Sequence, residues 1–94
     1  MRNYEVTYIL DTKLGDDGST ALMEKFAAVI NDNSGEVKQV KPWGKRRFAY
    51  DLKGRREGLY VTMQFGAEPD TMAECRRQMD LSDDVLRSLF LVSN

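Results

Sequence analysis

The centre of the chain reads Leu59-Tyr60-Val61-Thr62-Met63-Gln64-Phe65, an alternation that is typical of a β-strand with one buried face. The apolar face of this strand consists of Leu59, Val61, Met63 and Phe65. The preceding segment, residues 54–58, begins and ends with glycine and predicts the tip of a hairpin. A long strand-like stretch, residues 37–52, leads into that tip and is bent where Pro42 and Gly44 interrupt it. We therefore expect a long antiparallel hairpin.

A strand and a helix precede this hairpin. Residues 4–10 alternate in the same way as residues 59–65 and predict a first strand. After the breaker Asp16-Asp17-Gly18, either Ser19 or Thr20 can cap a helix whose apolar residues recur with helical spacing. That apolar stripe consists of Leu22, Phe26, Val29 and Ile30.

A second helix and a fourth strand follow the hairpin. Pro69 suits the first turn of a helix, and Met72, Cys75 and Met79 recur on one side of it. The short apolar run of residues 85–92 predicts the last strand.

The resulting order, βαββαβ, predicts an α+β fold of the ferredoxin-like type. Residues 1–94 should form one domain, with a four-stranded antiparallel sheet in the order 4-1-3-2 and both helices on one face. The other face would be open, and the last strand is apolar on both sides, so we expect a partner protein to cover it. The candidate partner contacts are Ile9, Tyr60, Leu89 and Leu91.

Positive charge is concentrated in residues 41–56, which hold seven Lys or Arg against the single acid Asp51. The local balance is +6, whereas the rest of the chain has a balance of −7. Trp43, Phe48 and Tyr50 lie among these cations. Cations that pair with phosphates and planar groups that stack on bases are what a polyanion-binding surface needs.

Catalysis and metal binding are not indicated by the composition. The chain has no histidine, and its single cysteine, Cys75, cannot form an internal disulfide. We expect no cofactor and no metal, and we interpret Asp83-Asp84 as a turn and cap. The chain lacks a membrane-spanning or signal pattern, so we expect a cytoplasmic location.

Three motifs give the chain a family resemblance. They are Met1-Arg2-Asn3-Tyr4-Glu5-Val6, Trp43-Gly44-Lys45-Arg46-Arg47-Phe48-Ala49-Tyr50 and Asp83-Asp84-Val85-Leu86-Arg87. In this order they resemble the bacterial small-subunit ribosomal protein S6 family. The resemblance implies a ferredoxin-like fold, binding to the central domain of the small-subunit ribosomal RNA, and a heterodimer with the basic ribosomal protein S18. Asp51 and Leu52 depart from the Pro and aliphatic residue usual in the family, and a charged tail after the last strand is absent from this sequence.

With this resemblance, phosphate contact becomes the favoured role of the cationic residues. The candidate RNA contacts are Arg2, Lys41, Lys45, Arg46, Arg47, Lys53, Arg55, Arg56 and Arg87. The alternative role is that of a solvated hairpin that blunts the edge of the sheet.

The positions of several of these candidates follow from strand geometry. Arg46 and Arg47 should point to opposite faces, so that at most one contacts a flat ligand while the other pairs with an acid such as Glu57. Arg2 and Arg87 can lie close together if the starts of the first and fourth strands meet.

Among the aromatic side chains, Trp43 is favoured as a packing anchor over a base-stacking ring. Tyr60 should be more exposed than Tyr50.

Three other functions stay open at this point. An RNA-recognition-motif domain has the same topology, but only Tyr60 suits a stacking platform. A small hydrolase of the acylphosphatase type needs a phosphate-binding loop with an Arg after the first strand, whereas residues 11–18 are acidic. A protein-binding module with an incidental basic hairpin would use the open apolar face.

Overall fold

The secondary structure elements follow one another in the order βαββαβ in the computed structural model, which describes residues 1–93. The strands are β1 (Arg2–Leu10), β2 (Glu36–Leu52), β3 (Arg55–Ala67) and β4 (Val85–Val92), and the helices are α1 (Gly15–Asp32) and α2 (Pro69–Leu81). The sheet has the order β2-β3-β1-β4, and all neighbouring strands are antiparallel. This is the predicted order read from the opposite edge, so the ferredoxin-like fold is confirmed.

The core lies between the sheet and the two helices. Alternate residues of the two central strands point into it, and the register places Val6 opposite Met63 and Tyr8 opposite Val61. The ring of Tyr8 meets Phe26 of α1 edge-on, with 5.5 Å between the ring centroids. The helices contribute Phe26, Ile30, Cys75 and Met79 to this core. The apolar stripes that predicted the helices are thus the surfaces that pack on the sheet.

Helix α1 begins earlier than the sequence predicted. A 3-10 turn (Thr12–Leu14) leads into Gly15, whose φ of 67° lies in the left-handed region that favours glycine. Asp16 and Asp17, which we interpreted as a breaker, lie in the first turn, where negative charge interacts favourably with the helix dipole. Ser19 is therefore a buried helical residue and not the cap.

The hairpin tip also differs from the prediction. It is the two-residue turn Lys53-Gly54, in which both residues have positive φ, 50° and 77°. Such turns match the twist of the strands that they join. Gly58, predicted as part of the tip, is buried within β3, where a side chain would overlap Ile9 and lie 3.0 Å from the ring of Phe48. Close packing, and not a turn, requires glycine at this position.

The hairpin is longer than the strand beside it. Leu10, the last residue of β1, pairs with Leu59, so residues 46–58 extend past the end of β1. We call these residues the hairpin overhang. Since no strand within residues 1–93 lies beside the overhang on the β1 side, the position of the overhang depends on side-chain contacts.

Candidate nucleic-acid interface

The cationic residues lie on the edge strand β2 and on the hairpin overhang, which are parts of the sheet with few neighbours. All seven cations of residues 41–56 are exposed. They are Lys41, Lys45, Arg46, Arg47, Lys53, Arg55 and Arg56. One end of the molecule therefore presents a positive potential that attracts polyanions.

Arg46 and Arg47 line a single shallow groove of about 440 Å³ on the open face of the sheet. Its other lining residues are Thr7, Trp43, Tyr60 and Thr62. The register of β2 with β3 is regular from Gly44 to Arg47, so Arg46, opposite Gly58, and Arg47, opposite Glu57, alternate in direction as predicted, although both border this groove. The predicted ion pair with Glu57 is wrong: Glu57 lies opposite Arg47, but it forms no salt bridge within residues 1–93.

Trp43 is anchored to the open face of the sheet. Its Nε1 donates a hydrogen bond of 2.8 Å to Oγ1 of Thr62, and the Nζ of Lys41 lies 4.0 Å from the ring centroid. The side chain is 48% exposed. The indole thus packs on the sheet and also holds a cation beside the groove.

Several cations of the overhang have partners within the protein. Lys53 Nζ donates to a backbone carbonyl at the start of β4 at 2.9 Å. Arg55 Nε donates to Oδ2 of the buried Asp11 at 3.0 Å. The Nε of Arg56 lies 3.5 Å from Oδ1 of Asp51, but this guanidinium is 87% exposed, and such surface pairs contribute little. The structure therefore leaves Arg56 available to a ligand, whereas Lys53 and Arg55 hold the overhang against the protein.

The two cations outside the central stretch lie far apart. Arg2 pairs with Ala67 at the start of β1, and Arg87 lies opposite Ile9 near its end. Because a strand rises about 3.4 Å per residue, roughly 24 Å separates these positions, and the expected proximity is wrong. Arg87 instead reaches the overhang, where its Nη1 lies 3.3 Å from the hydroxyl of Tyr50. Only Arg87 of this pair therefore extends the cationic surface.

The relative exposure of the two tyrosines is the reverse of the prediction. Tyr50 is 63% exposed because it lies on the overhang. Tyr60 is half-buried on β3, and its ring lies 6.1 Å from the ring of Phe48. Tyr50 is consequently the aromatic ring of this region that is most open to a ligand.

The apolar part of the open face lies on β4. Leu89 and Leu91 face outward and are 51% and 52% exposed. Ile9, predicted to offer partner contacts, is only 5% exposed, because it packs at Gly58 close to the ring of Phe48. It forms the floor of a depression whose other lining residues are Thr7, Tyr60, Arg87 and Leu89. A partner can therefore contact the leucines, while Ile9 supports them from below.

One residue at the base of the overhang was not singled out from the sequence. Asp11 is 4% exposed, and besides Arg55 it accepts a 3.0 Å hydrogen bond from the backbone N–H of Lys13. An acid two residues before a backbone donor is typical of a local turn. That signal finds the turn, but nothing in the sequence links Asp11 to Arg55, which is 44 residues away.

Residues 11–18, which follow β1 and include the first turn of α1, do not resemble a phosphate-binding loop. Asp16 and Asp17 occupy the first turn of α1, and Lys13 is paired with Asp84 at 3.5 Å. Within residues 1–93, no helix has the length and apolarity needed to cross a bilayer, and no three or more His, Cys, Asp or Glu side chains group together as metal ligands would.

Comparisons with known proteins agree on one family. A model of that family, described as ribosomal protein S6, matches residues 3–91 of the chain. The small ribosomal subunit protein bS6 of Desulforamulus reducens is 46% identical over 91 residues, which cover 97% of this chain and 96% of that protein. The bS6 protein of Desulforudis audaxviator is 45% identical over 97% of both chains.

Solved structures share the fold. The crystal structure of 30S ribosomal protein S6 from Thermotoga maritima has a TM-score of 0.92 at 22% identity, and the match covers 98% of this chain and 87% of that one. The C-terminal domain of the MgtC protein from Mycobacterium tuberculosis has a TM-score of 0.70 at 14% identity, with 99% and 88% covered. Because a protein with a different name has this fold, the fold alone does not identify the function.

Proposed function

We propose that this chain, which belongs to the ribosomal protein S6 family and is therefore a protein of the small ribosomal subunit, binds the central domain of the small-subunit ribosomal RNA. It would bind as a heterodimer with ribosomal protein S18 and would thereby support subunit assembly. The observation that carries the proposal is the charge of residues 41–56, where seven cations occur with one acid. Family membership confirms the expected location on the ribosome.

RNA binding would rest on the cations that are held neither by the buried Asp11 nor by a backbone carbonyl of β4. Arg46 and Arg47 line the groove, Arg56 is exposed on the overhang, and Lys45 is exposed at a separate depression beside the start of α1. Cations that neutralise phosphates release counterions, which makes the affinity steeply dependent on salt. Since the sheet fixes the spacing of the cations, the protein would select the shape of a folded RNA more than its base sequence.

The protein partner would cover the leucines of β4. Leu89 and Leu91 are exposed apolar side chains on an edge strand, which is a surface that proteins normally protect. Outside residues 41–56 the chain is acidic, with a balance of −7. This negative charge opposes RNA binding and favours a basic partner, so binding should be weak for the protein alone and stronger for the complex.

The test is a salt titration of binding to a central-domain ribosomal RNA fragment, with the protein alone and with S18. We expect binding mainly with S18, and a loss of affinity when Arg46 and Arg47 are replaced by Glu. The matched control replaces Lys25 and Arg76 on the helices by Glu, which changes the net charge equally. Equal losses in both double variants would show that net charge alone matters and would contradict a defined RNA surface.

The same proposal assigns the protein no catalytic activity. The first turn of α1, which follows β1 closely, carries Asp16 and Asp17 and would repel a phosphate. Turnover of an acyl phosphate by the purified protein would contradict this assignment.

The second candidate function is a module that binds only protein, which is favoured by the exposure of Leu89 and Leu91. That function predicts that charge reversal at Arg46 and Arg47 leaves partner binding intact and that no RNA binds in either titration. An RNA-recognition-motif-like role is disfavoured by the position of Tyr60, which packs beside Phe48.

A further inference from the structure

The base of the overhang contains an enclosed acid, Asp11. It is the one charged residue within residues 1–93 that is buried, at 4% exposure. One carboxylate oxygen accepts the backbone N–H of Lys13 and the other accepts Nε of Arg55, both at 3.0 Å. Its backbone N–H donates to the carbonyl of Asp84 at 2.9 Å. Asp11 thus joins the end of β1, the loop before β4 and the overhang.

Side-chain contacts of this kind determine where the overhang lies. In the described part of the chain, the overhang has no strand neighbour beyond Leu10. It approaches β4 through Lys53, which donates to the carbonyl of Val85 at 2.9 Å, and through Tyr50, whose hydroxyl lies 3.3 Å from Nη1 of Arg87. Among the contacts of the overhang with the rest of residues 1–93, only the one between Arg55 and Asp11 is an ion pair, and the Asp11 side chain in this pair is buried.

A buried carboxylate needs its counter-charge. Removal of one partner from such a pair leaves an uncompensated charge in a poorly solvated site, which is strongly unfavourable. If Arg55 turned toward a phosphate, the buried carboxylate of Asp11 would be left without its counter-charge. Arg55 is therefore held by the protein, even though half of its side chain is exposed.

We propose that Asp11 is a positioning residue for RNA binding: through Arg55 it fixes the overhang, and with it the arginines at 46, 47 and 56, at a constant distance from the sheet. The inference rests on the proposed function of this cationic surface. It also reassigns Arg55, which the sequence suggested as an RNA contact, to a role inside the protein. Preorganised cations bind a folded RNA better because no ordering cost remains.

The experiment compares Arg55→Gln with the matched control Arg56→Gln in the full chain, since the two adjacent substitutions remove the same charge. In the free protein, we expect Arg55→Gln to raise amide hydrogen exchange in residues 46–58 while residues 61–65 stay protected. Arg56→Gln should leave both segments unchanged. In RNA binding with S18, Arg56→Gln should reduce the salt slope by about one, as loss of a phosphate contact does.

For Arg55→Gln we expect a loss of affinity of roughly 3- to 30-fold with the salt slope retained, as for coupled residues in contact. Adding Asp11→Asn to Arg55→Gln should lower the RNA affinity little further, because both changes break the same contact. In the double variant of Asp11→Asn and Arg56→Gln, by contrast, the two fold-losses of affinity should multiply. Unchanged exchange in Arg55→Gln, or a slope reduced as in Arg56→Gln, would overturn the positioning role. If the wild-type complex did not bind the RNA, the proposed function and the RNA part of this inference would fail. The exchange data would then still decide whether Asp11 holds the overhang.

Discussion

Replacing Tyr8 by Phe should stabilise the protein. Tyr8 is fully buried, and its hydroxyl is a buried polar atom without a hydrogen-bond partner within residues 1–93. An unpartnered buried hydroxyl costs about 1–3 kcal/mol. Phe keeps the edge-on contact with Phe26, and the small space left by the oxygen offsets part of the gain. We expect about 1 kcal/mol of added stability, which for a domain of this size raises Tm by about 4–8 °C.

The same substitution has a signature at alkaline pH. Burial raises the pKa of the Tyr8 hydroxyl well above its ordinary value of 10.0, and the nearby Cys75 adds to the shift. Because the unfolded chain releases this proton at a lower pH than the folded protein does, the stability contributed by the neutral phenol is complete below pH 10 and is lost as the pH rises further. The stability of Tyr8→Phe should therefore fall less steeply above pH 10 than that of the wild type.

Urea and thermal unfolding from pH 7 to pH 11 measure both effects. Tyr4→Phe is the control, since Tyr4 lies on the same strand and the same core face, and we expect it to change stability by less than about 0.5 kcal/mol. A loss of more than about 1 kcal/mol in Tyr8→Phe at pH 7 would show that the hydroxyl makes a hydrogen bond and would refute the reasoning. Parallel pH profiles for Tyr8→Phe and the wild type would refute the assigned titration.

Three further predictions concern packing and the partner surface. Gly58→Ala should destabilise the protein by about 1–3 kcal/mol in urea unfolding, because a side chain there meets β1 and the overhang; unchanged stability would contradict the packing at Gly58. The pKa of the Cys75 thiol is raised to about 12 by burial and, to a smaller extent, by the charge of Glu74. The thiol should therefore react with a thiol reagent at pH 8 only under unfolding conditions, and rapid labelling of the folded protein would contradict its enclosure. The double variant Leu89→Lys with Leu91→Lys should weaken S18 binding by roughly tenfold or more while stability changes little. The control Leu81→Lys, at an exposed leucine of α2, should have no effect on S18 binding. Equal effects of the double variant and the control in a pull-down titration would place the partner elsewhere.

Much of the fold follows from local patterns. The alternation of residues 59–65 predicts β3, and its partner residues in β1 follow the same pattern with the same buried face. Helix α2 begins at Pro69, as predicted from the fixed φ of proline. These elements are predictable because the side-chain pattern of each strand or helix reflects which face is buried.

Element boundaries were less predictable than the elements. The tip of the hairpin is Lys53-Gly54, where a non-glycine residue adopts a positive φ. Lysine seldom adopts a positive φ, so the sequence favoured a tip that included Gly58, although this glycine is needed for close packing. The start of α1 was missed for a related reason, since Asp16 occurs both in turns and in first helical turns.

The sequence by itself determined the fold class, the sheet order and the stretch that concentrates positive charge, because hydrophobic periodicity and charge are properties of neighbouring residues. Only the tertiary structure decided which cations are available. It brings Arg46 and Arg47 into one groove, pairs Arg55 with Asp11, and separates Arg2 from Arg87 by most of the length of β1. These relations depend on strand register, on bulges and on contacts between residues distant in sequence, and no local pattern of side chains encodes them.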